Sequence, residues 1–289
     1  MGVTGKVSQP TPYAPMIDSA RHSPAPLKFL IVSASYQCVS WVDRCIGSVQ
    51  AQTYPHFKHV LVDDCSSDGT LEKARAKVGS DSRFVMLGNT ERCFPLANIV
   101  RATREAGGDA DDVIVVLDGD DWFAHDRVLE HLAKVYANPE VWLTYGSHKL
   151  HHAPRRRDRW LRRAVRGKVY AYPEVVAELA HYRYYDFIAA HLRSYRRFLW
   201  NALRDEDLRD NDGSYYRAAA DAATMWPMLE MATTQHWRFL NENLYVYNNK
   251  HSLSENRPGS RREQLRIAMT VRAKPCYAPL LRDVVAGNP

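Results

Sequence analysis

From residue 28 onward the apolar residues fall in short runs, each closed by a polar cluster. Phe29-Leu30-Ile31-Val32 ends in Ser33-Ala34-Ser35, the form of a buried parallel strand meeting a turn. Val42, Cys45, Ile46 and Val49 then recur at helical spacing. His59-Val60-Leu61-Val62 predicts a second strand, closed by Asp63-Asp64-Cys65-Ser66-Ser67-Asp68-Gly69-Thr70, a loop and helix start before a Lys/Arg/Ala-rich helix. Phe84-Val85-Met86-Leu87 predicts a third strand, followed by a helix around Leu96 to Ala106. Asp112 to Leu117 predicts a fourth, closed by Asp118-Gly119-Asp120-Asp121-Trp122. A helix through Val128, Leu129, Leu132 and Val135 and a strand at Val141-Trp142-Leu143-Thr144-Tyr145 complete the series. Strand and helix alternating in this way predict an α/β fold, with a mostly parallel sheet wound by helices on both faces.

Beyond residue 146 the pattern changes to longer helical stretches rich in aromatics, densest at His181 to Phe187 and Ser194 to Trp200. Tyr216 to Thr233 reads as one helix with Ala222, Met225, Met228, Leu229 and Met231 for a core, kinked or interrupted by Pro227. Leu244-Tyr245-Val246-Tyr247 is a late strand. The expected organisation is a Pro-rich tail over 1–27, a nucleotide-binding half over 28–146, an acceptor-side, helix-rich half over 147–255 and a basic, weakly patterned tail over 256–289. Five of the 15 prolines lie in the first tail.

The composition of the 289 residues, 25% charged and 45% hydrophobic, is that of a globular protein and excludes a disulfide miniprotein or a wholly disordered chain. Five cysteines without a Cys-x-x-Cys pair write neither a disulfide framework nor a zinc knuckle, and most are expected to be small buried residues. No apolar run approaches a membrane span, the first residues lack a signal-peptide core, and Lys6 stands where a myristoylation signal needs Ser or Thr. The expected compartment is cytoplasmic. The net charge of +6 is unevenly placed: Arg155 to Lys168 holds seven arginines and one lysine against Asp158, a local +7. With Trp160, Leu161 and Val165 interleaved, this block suggests a contact with anionic lipid or phosphate at the inner face of a membrane rather than a nucleic-acid reader. A solvated insertion without a partner is the plainer alternative.

In open α/β sheets ligands sit outside the carboxyl ends of the strands. Here Ser33 to Tyr36, Asp63-Asp64 and Asp118 to Asp121 would share that edge. Acids gathered in one crevice repel unless a cation sits between them, and Mg2+ or Mn2+ with phosphate oxygens is the common solution. One such cluster alone is more often a turn or a helix cap.

Ile31-Val32-Ser33-Ala34-Ser35-Tyr36-Gln37, Val60 to Thr70 and Val116-Leu117-Asp118-Gly119-Asp120-Asp121 together resemble the family-two glycosyltransferases of the GT-A fold, over roughly residues 28 to 255. The resemblance implies that Ala34, Ser35 and Tyr36 line the nucleotide and that Asp64 faces the uracil. It implies that Asp118 meets the ribose or a water on the metal, that Asp120 ligates Mn2+ (or Mg2+), and that Asp121 caps the next helix. Asp221, a lone acid in an alanine-rich helix, takes the place of the family's general base, with Ala220 where the family often has Glu. His251 would reach the metal or pyrophosphate, and Arg92 the base or a phosphate. The processive Gln-x-x-Arg-Trp element is absent, which points to single-sugar transfer.

The reaction implied is inverting transfer from a UDP-sugar to a glycan, lipid-linked or protein acceptor. Two other readings stand beside it. A nucleotide-sugar pyrophosphorylase would need a glycine-rich basic loop, and Ser33 to Val39 holds neither glycine nor a basic residue. A non-catalytic module would bind anionic lipid or nucleic acid through Arg155 to Lys168. The His148, His151 and His152 cluster has no carboxylate or cysteine to complete a zinc set.

Overall fold

The computed structural model describes residues 26–152, 170–250 and 258–281. The basic block Arg155 to Lys168, His251 and the chain before residue 26 lie outside them. The first half is the expected alternation: β1 (Phe29–Ser35), α1 (Val42–Gln50), β2 (Phe57–Asp63), α2 (Thr70–Val78), β3 (Phe84–Gly88), α3 (Phe94–Ala106) and β4 (Val113–Val116). β1 pairs in parallel with β2 and β4, and β2 with β3. Every residue of β4 is buried, and Val42, Cys45, Ile46 and Val49 of α1 are buried as their spacing requires. β1, β2 and β4 therefore have both faces covered, which is why these segments read as continuous apolar runs, while β3 at the sheet edge is only partly buried.

The second half is mixed. β5 (Trp122–Phe123), α4 (Val128–Tyr136), β6 (Leu143–Leu150), α5 (Glu174–Glu178), β7 (Arg193–Arg196), α6 (Arg197–Asn201), α7 (Ala220–His236), β8 (Trp237–Tyr247) and α8 (Pro258–Ala273) follow. The sheet order is β3-β2-β1-β4-β7-β6-β8-β5. β7 runs antiparallel to both β4 and β6, β6 pairs in parallel with β8, and β5 is antiparallel to β8. The sheet is thus parallel on one side and mixed on the other.

Several expectations are corrected here. Ser194-Tyr195-Arg196 is not helical but the middle of the sheet. Arg196 can be buried there because carbonyls satisfy it: it donates to Val141 O at 2.9 Å and to Tyr136 O at 2.9 Å. α7 begins at Ala220 rather than Tyr216 and passes through Pro227, and its backbone leaves helical geometry at Thr233 (φ 55°) instead. β8 starts seven residues earlier than Leu244, because Asn241, Glu242 and Asn243 are exposed and interrupt its apolar pattern. Of the cysteines only Cys38 and Cys45 are buried.

The C-terminal segment is tied into the core. Ile267 and Val271 of α8 are buried. Buried Arg183 forks onto Glu230 (Nε–Oε1 2.6 Å, Nη2–Oε2 2.9 Å) and donates to Val271 O, while Glu230 also accepts from Tyr277 N. A fully hydrogen-bonded buried pair of this kind holds its geometry even where its net contribution to stability is small. Among the described residues no helix is long and apolar enough to cross a membrane.

Candidate active site

The carboxyl ends of β1 and β4 open on a cavity of about 730 Å³, within the range of small-molecule sites. Ala34, Ser35 and Tyr36 line one wall, and Asp118, Asp120 and Asp121 the floor. α7 brings Asp221, and α8 contributes Glu263 and Gln264. The glycine of Asp118-Gly119-Asp120 has a steric reason. Gly119 N donates to Ala34 O at 2.9 Å, and a Cβ there would lie 2.5 Å from Ser35 Cβ and 2.9 Å from Ser35 Cα. Only glycine lets the acidic loop lie against the end of β1. Cys38 and Cys45 add thiol contacts to the carbonyls of Gly119 and Asp118.

The acids of this edge have different duties. Asp63 accepts from Ser66 N at 2.9 Å and Ser66 Oγ at 2.6 Å, closing its own turn. Asp64 is buried and accepts from Asn89 Nδ2, Cys93 N and Phe94 N at 2.9, 2.7 and 2.9 Å, with Arg92 Nε at 3.8 Å. It does not line the cavity; it organises the loop that does. That loop places the Arg92 guanidinium 3.6 Å over the Tyr36 ring and 4.8 Å from the Phe94 ring.

Asp121 does not cap α4, which begins at Val128. Its carboxylate accepts from Tyr245 Oη at 2.5 Å and Asn248 N at 2.6 Å, pinning the acidic loop to the end of β8.

Asp118 and Asp221 face each other across one cation that the sequence pattern did not reveal. Arg193, buried on β7, lies with Nη2 3.8 Å from Asp118 and Nη1 3.7 Å from Asp221, and its Nε has no hydrogen-bond partner. Burial pushes the Asp118 carboxyl up to about 6; Arg193 opposes the rise, while Asp120 and Asp221 add to it. Asp221 stands in the first turn of α7, accepts Ala222 N at 2.8 Å and remains partly open to the cavity. His191, two residues before Arg193, stacks on Tyr245 at 4.5 Å, and His148 packs edge-on against it. Burial holds both imidazoles toward the neutral form, with His148 lowered to about 4.

The donor set fits a divalent cation. Ligand atoms of Asp118, Asp121 and His191 lie within 4.8 Å of one another, two carboxylates and a neutral imidazole around a site already crowded with negative charge. Asp120 lines the same cavity but is not in that group, and His251 lies outside the described residues. Of the residues expected from sequence, the fold brings Ala34, Ser35, Tyr36, Arg92, Asp118, Asp120 and Asp221 to one cavity. Sequence reading missed Arg193 and His191, and gave His148 no place in the site. A basic residue in a central strand, with an acid at each neighbouring element end, is the signal that could have found Arg193.

The chain is similar to several known proteins in sequence and in fold. The chain matches 102 residues of the putative teichuronic acid biosynthesis glycosyltransferase TuaG of Bacillus subtilis (strain 168) at 26% identity, 35% of this chain and 39% of that protein. It therefore spans about two fifths of the curated relative's length. The crystal structure of S. aureus TarS 1-349 in complex with UDP-GlcNAc superposes with a TM-score of 0.60 at 18% identity, over 90% of this chain and 69% of that one. The mannosyltransferase PcManGT from Pyrobaculum calidifontis, in complex with GDP-Man and Mn2+, gives 0.57 at 16% identity, over 87% and 66%. These likenesses establish the GT-A type of fold. The pattern of Glycosyl transferase family 2 runs through residues 30–204, from β1 past Arg193, and the chain belongs to glycosyl transferase family 2.

Proposed function

We propose that the chain transfers one sugar from a UDP-sugar to an acceptor hydroxyl with inversion at the anomeric carbon. The observation that carries this reading is the pair Asp118 and Asp221 held about Arg193 in a cavity walled by the end of β1. The uridine diphosphate lies along Ala34, Ser35 and Tyr36, with the base near the Tyr36–Arg92 stack. Asp64 acts on the base by holding Arg92 and Phe94 in place, through three hydrogen bonds that a neutral or smaller side chain would not all keep. That UDP and UDP-GlcNAc occupy the TarS structures supports a uridine donor for this chain.

In the reaction the acceptor oxygen attacks the anomeric carbon as the bond to the diphosphate oxygen breaks, and UDP leaves. Asp221 takes the hydroxyl proton onto a carboxylate oxygen, the kind of general-base step that contributes ~10²–10⁴-fold. Arg193 fixes that carboxylate opposite Asp118 and places a positive charge beside the departing phosphates. Asp118, Asp120 and Asp121, with His191 and, beyond the described residues, His251, are the groups that would hold Mn2+ or Mg2+. Such an ion would supply Lewis-acid neutralisation of the leaving diphosphate.

A release assay for UDP over a panel of UDP-sugars, with Mn2+ and with a chelator, tests the proposal. Turnover of at least one donor that the chelator removes is expected. Salt-dependent binding to acidic vesicles with no UDP-sugar turnover would favour the non-catalytic module instead.

A further inference from the structure

α8 presents three faces. Glu263 and Gln264 look into the cavity, Ile267 and Val271 are buried in the core, and a third face looks outward. On that outward face Leu265 and Met269 stand one turn apart and are 56% and 69% exposed. Exposed Arg261 and Arg272 lie four residues before and seven after Leu265, and exposed Arg262 seven before Met269, so helical spacing puts all three on the same side. Glu263, the one acid of this helix, is turned to the cavity and paired with Arg266. Apolar tips rimmed by arginines, without an acid, are the pattern of a helix that lies in a charged interface.

The patch continues beyond α8. Arg272 Nη2 donates to Tyr185 O at 3.0 Å, which sets the exposed rings of Tyr184 and Tyr185 beside the last turn of the helix. The Tyr172 ring meets Tyr185 at 6.1 Å, but α5, just after Tyr172, exposes Glu174 and Glu178 beside Val175 and Leu179 and is not part of the patch. Scattered exposed apolar residues are ordinary, but Leu265 and Met269 stand one turn apart on α8 with Tyr184 and Tyr185 held at its last turn.

We infer that this face docks on an anionic lipid bilayer. Leu265, Met269 and the tyrosines enter the headgroup region, and Arg261 and Arg262 meet acidic headgroups. Cavity and docking face belong to one helix, about 10–12 Å across, so docking brings the cavity mouth to within a helix width of the membrane. The acceptor that fits this placement is a hydroxyl carried on a lipid. Only that last consequence rests on the glycosyl-transfer reading.

Flotation of the full chain with phosphatidylcholine vesicles, and with vesicles that also contain phosphatidylglycerol, tests the docking. Binding to the acidic vesicles alone, weakened by salt, is expected. Leu265→Glu with Met269→Glu should reduce it by about tenfold or more, and Arg261→Ser with Arg262→Ser should reduce it severalfold. Both double variants should keep the wild-type melting temperature and the wild-type rate of UDP release in the absence of vesicles. No preference for acidic vesicles, wild-type binding by the glutamate variant, or self-association through this face in place of vesicle binding would each overturn the inference. Loss of UDP release in the wild-type chain with docking intact would instead overturn the enzymatic reading and leave the docking face standing.

Discussion

Asp63-Asp64 at the end of β2 and Asp118-Gly119-Asp120-Asp121 after β4 look alike in sequence, as acids closing a buried strand. In the folded chain they are opposites. Asp64 is enclosed by backbone and amide donors, so its charge is answered locally and it serves as the anchor of a loop. Asp118 has one weak hydrogen-bond partner in Tyr245 and a guanidinium 3.8 Å away, and it opens to the cavity with its carboxyl raised toward neutrality. The contrast teaches that the donors around an acid, more than the acid itself, separate a scaffold carboxylate from one left open to a cavity.

The sharpest way to break the contrast is Asp120→Asn. It removes a charge from the cavity floor and should abolish metal-dependent turnover, to below about a thousandth of wild type, with the circular dichroism spectrum unchanged. Wild-type activity without added metal would defeat the metal-dependent reading. Arg193→Gln is shorter and neutral, and leaves Asp118 and Asp221 facing each other without their cation. A fall in kcat of about 10²-fold is expected, with KM for the donor changed much less, and Arg193→Lys should recover part of it. A matching loss in both parameters would make Arg193 a binding residue only.

Much of the first region was legible. Strands buried on both faces write unbroken apolar runs, and α1 shows its packed side at Val42, Cys45, Ile46 and Val49, so β1 to α3 follow from pattern alone. The second region resists that reading for physical reasons. β7 is a central strand made of Arg193, Ser194, Tyr195 and Arg196, with Arg196 bonded to carbonyls and Arg193 ion-paired with Asp118 and Asp221, so no hydrophobic period betrays it. α7 is buried almost all round from Ala222 to Ala232 and lacks an amphipathic stripe. Asp221 was found as a lone acid and through family resemblance; its partner Arg193, distant in sequence, was found by neither.

Two smaller effects sharpen the same comparison on the β2 side. Asp64→Ala should leave several loop donors unanswered, costing about 1–3 kcal/mol of stability in chemical denaturation. Smallest at neutral pH is the effect of His59, which is buried on β2, meets Ser33 Oγ at 2.8 Å and has its pKa lowered to about 3 by burial. A histidine depressed in the folded state contributes stability above its unfolded pKa of 6.5 and loses it as pH falls toward 3. Between pH 6.5 and 5 the loss should reach about 2 kcal/mol, and His59→Gln should flatten that slope. An unchanged slope would assign the acid sensitivity to other buried groups, His148 and His191 first.

The division of labour between the two acidic corners is tested most directly by measuring kcat for transfer and the Kd for UDP in Asp221→Asn and Asp64→Ala side by side. Asp221→Asn should lose two or more orders of magnitude in kcat while UDP binds as in wild type, because the amide cannot take the acceptor's proton. Asp64→Ala should weaken UDP binding by about tenfold or more and change kcat far less, because it loosens the Arg92 loop. Near-normal kcat in Asp221→Asn, or unchanged UDP affinity in Asp64→Ala, would contradict the account.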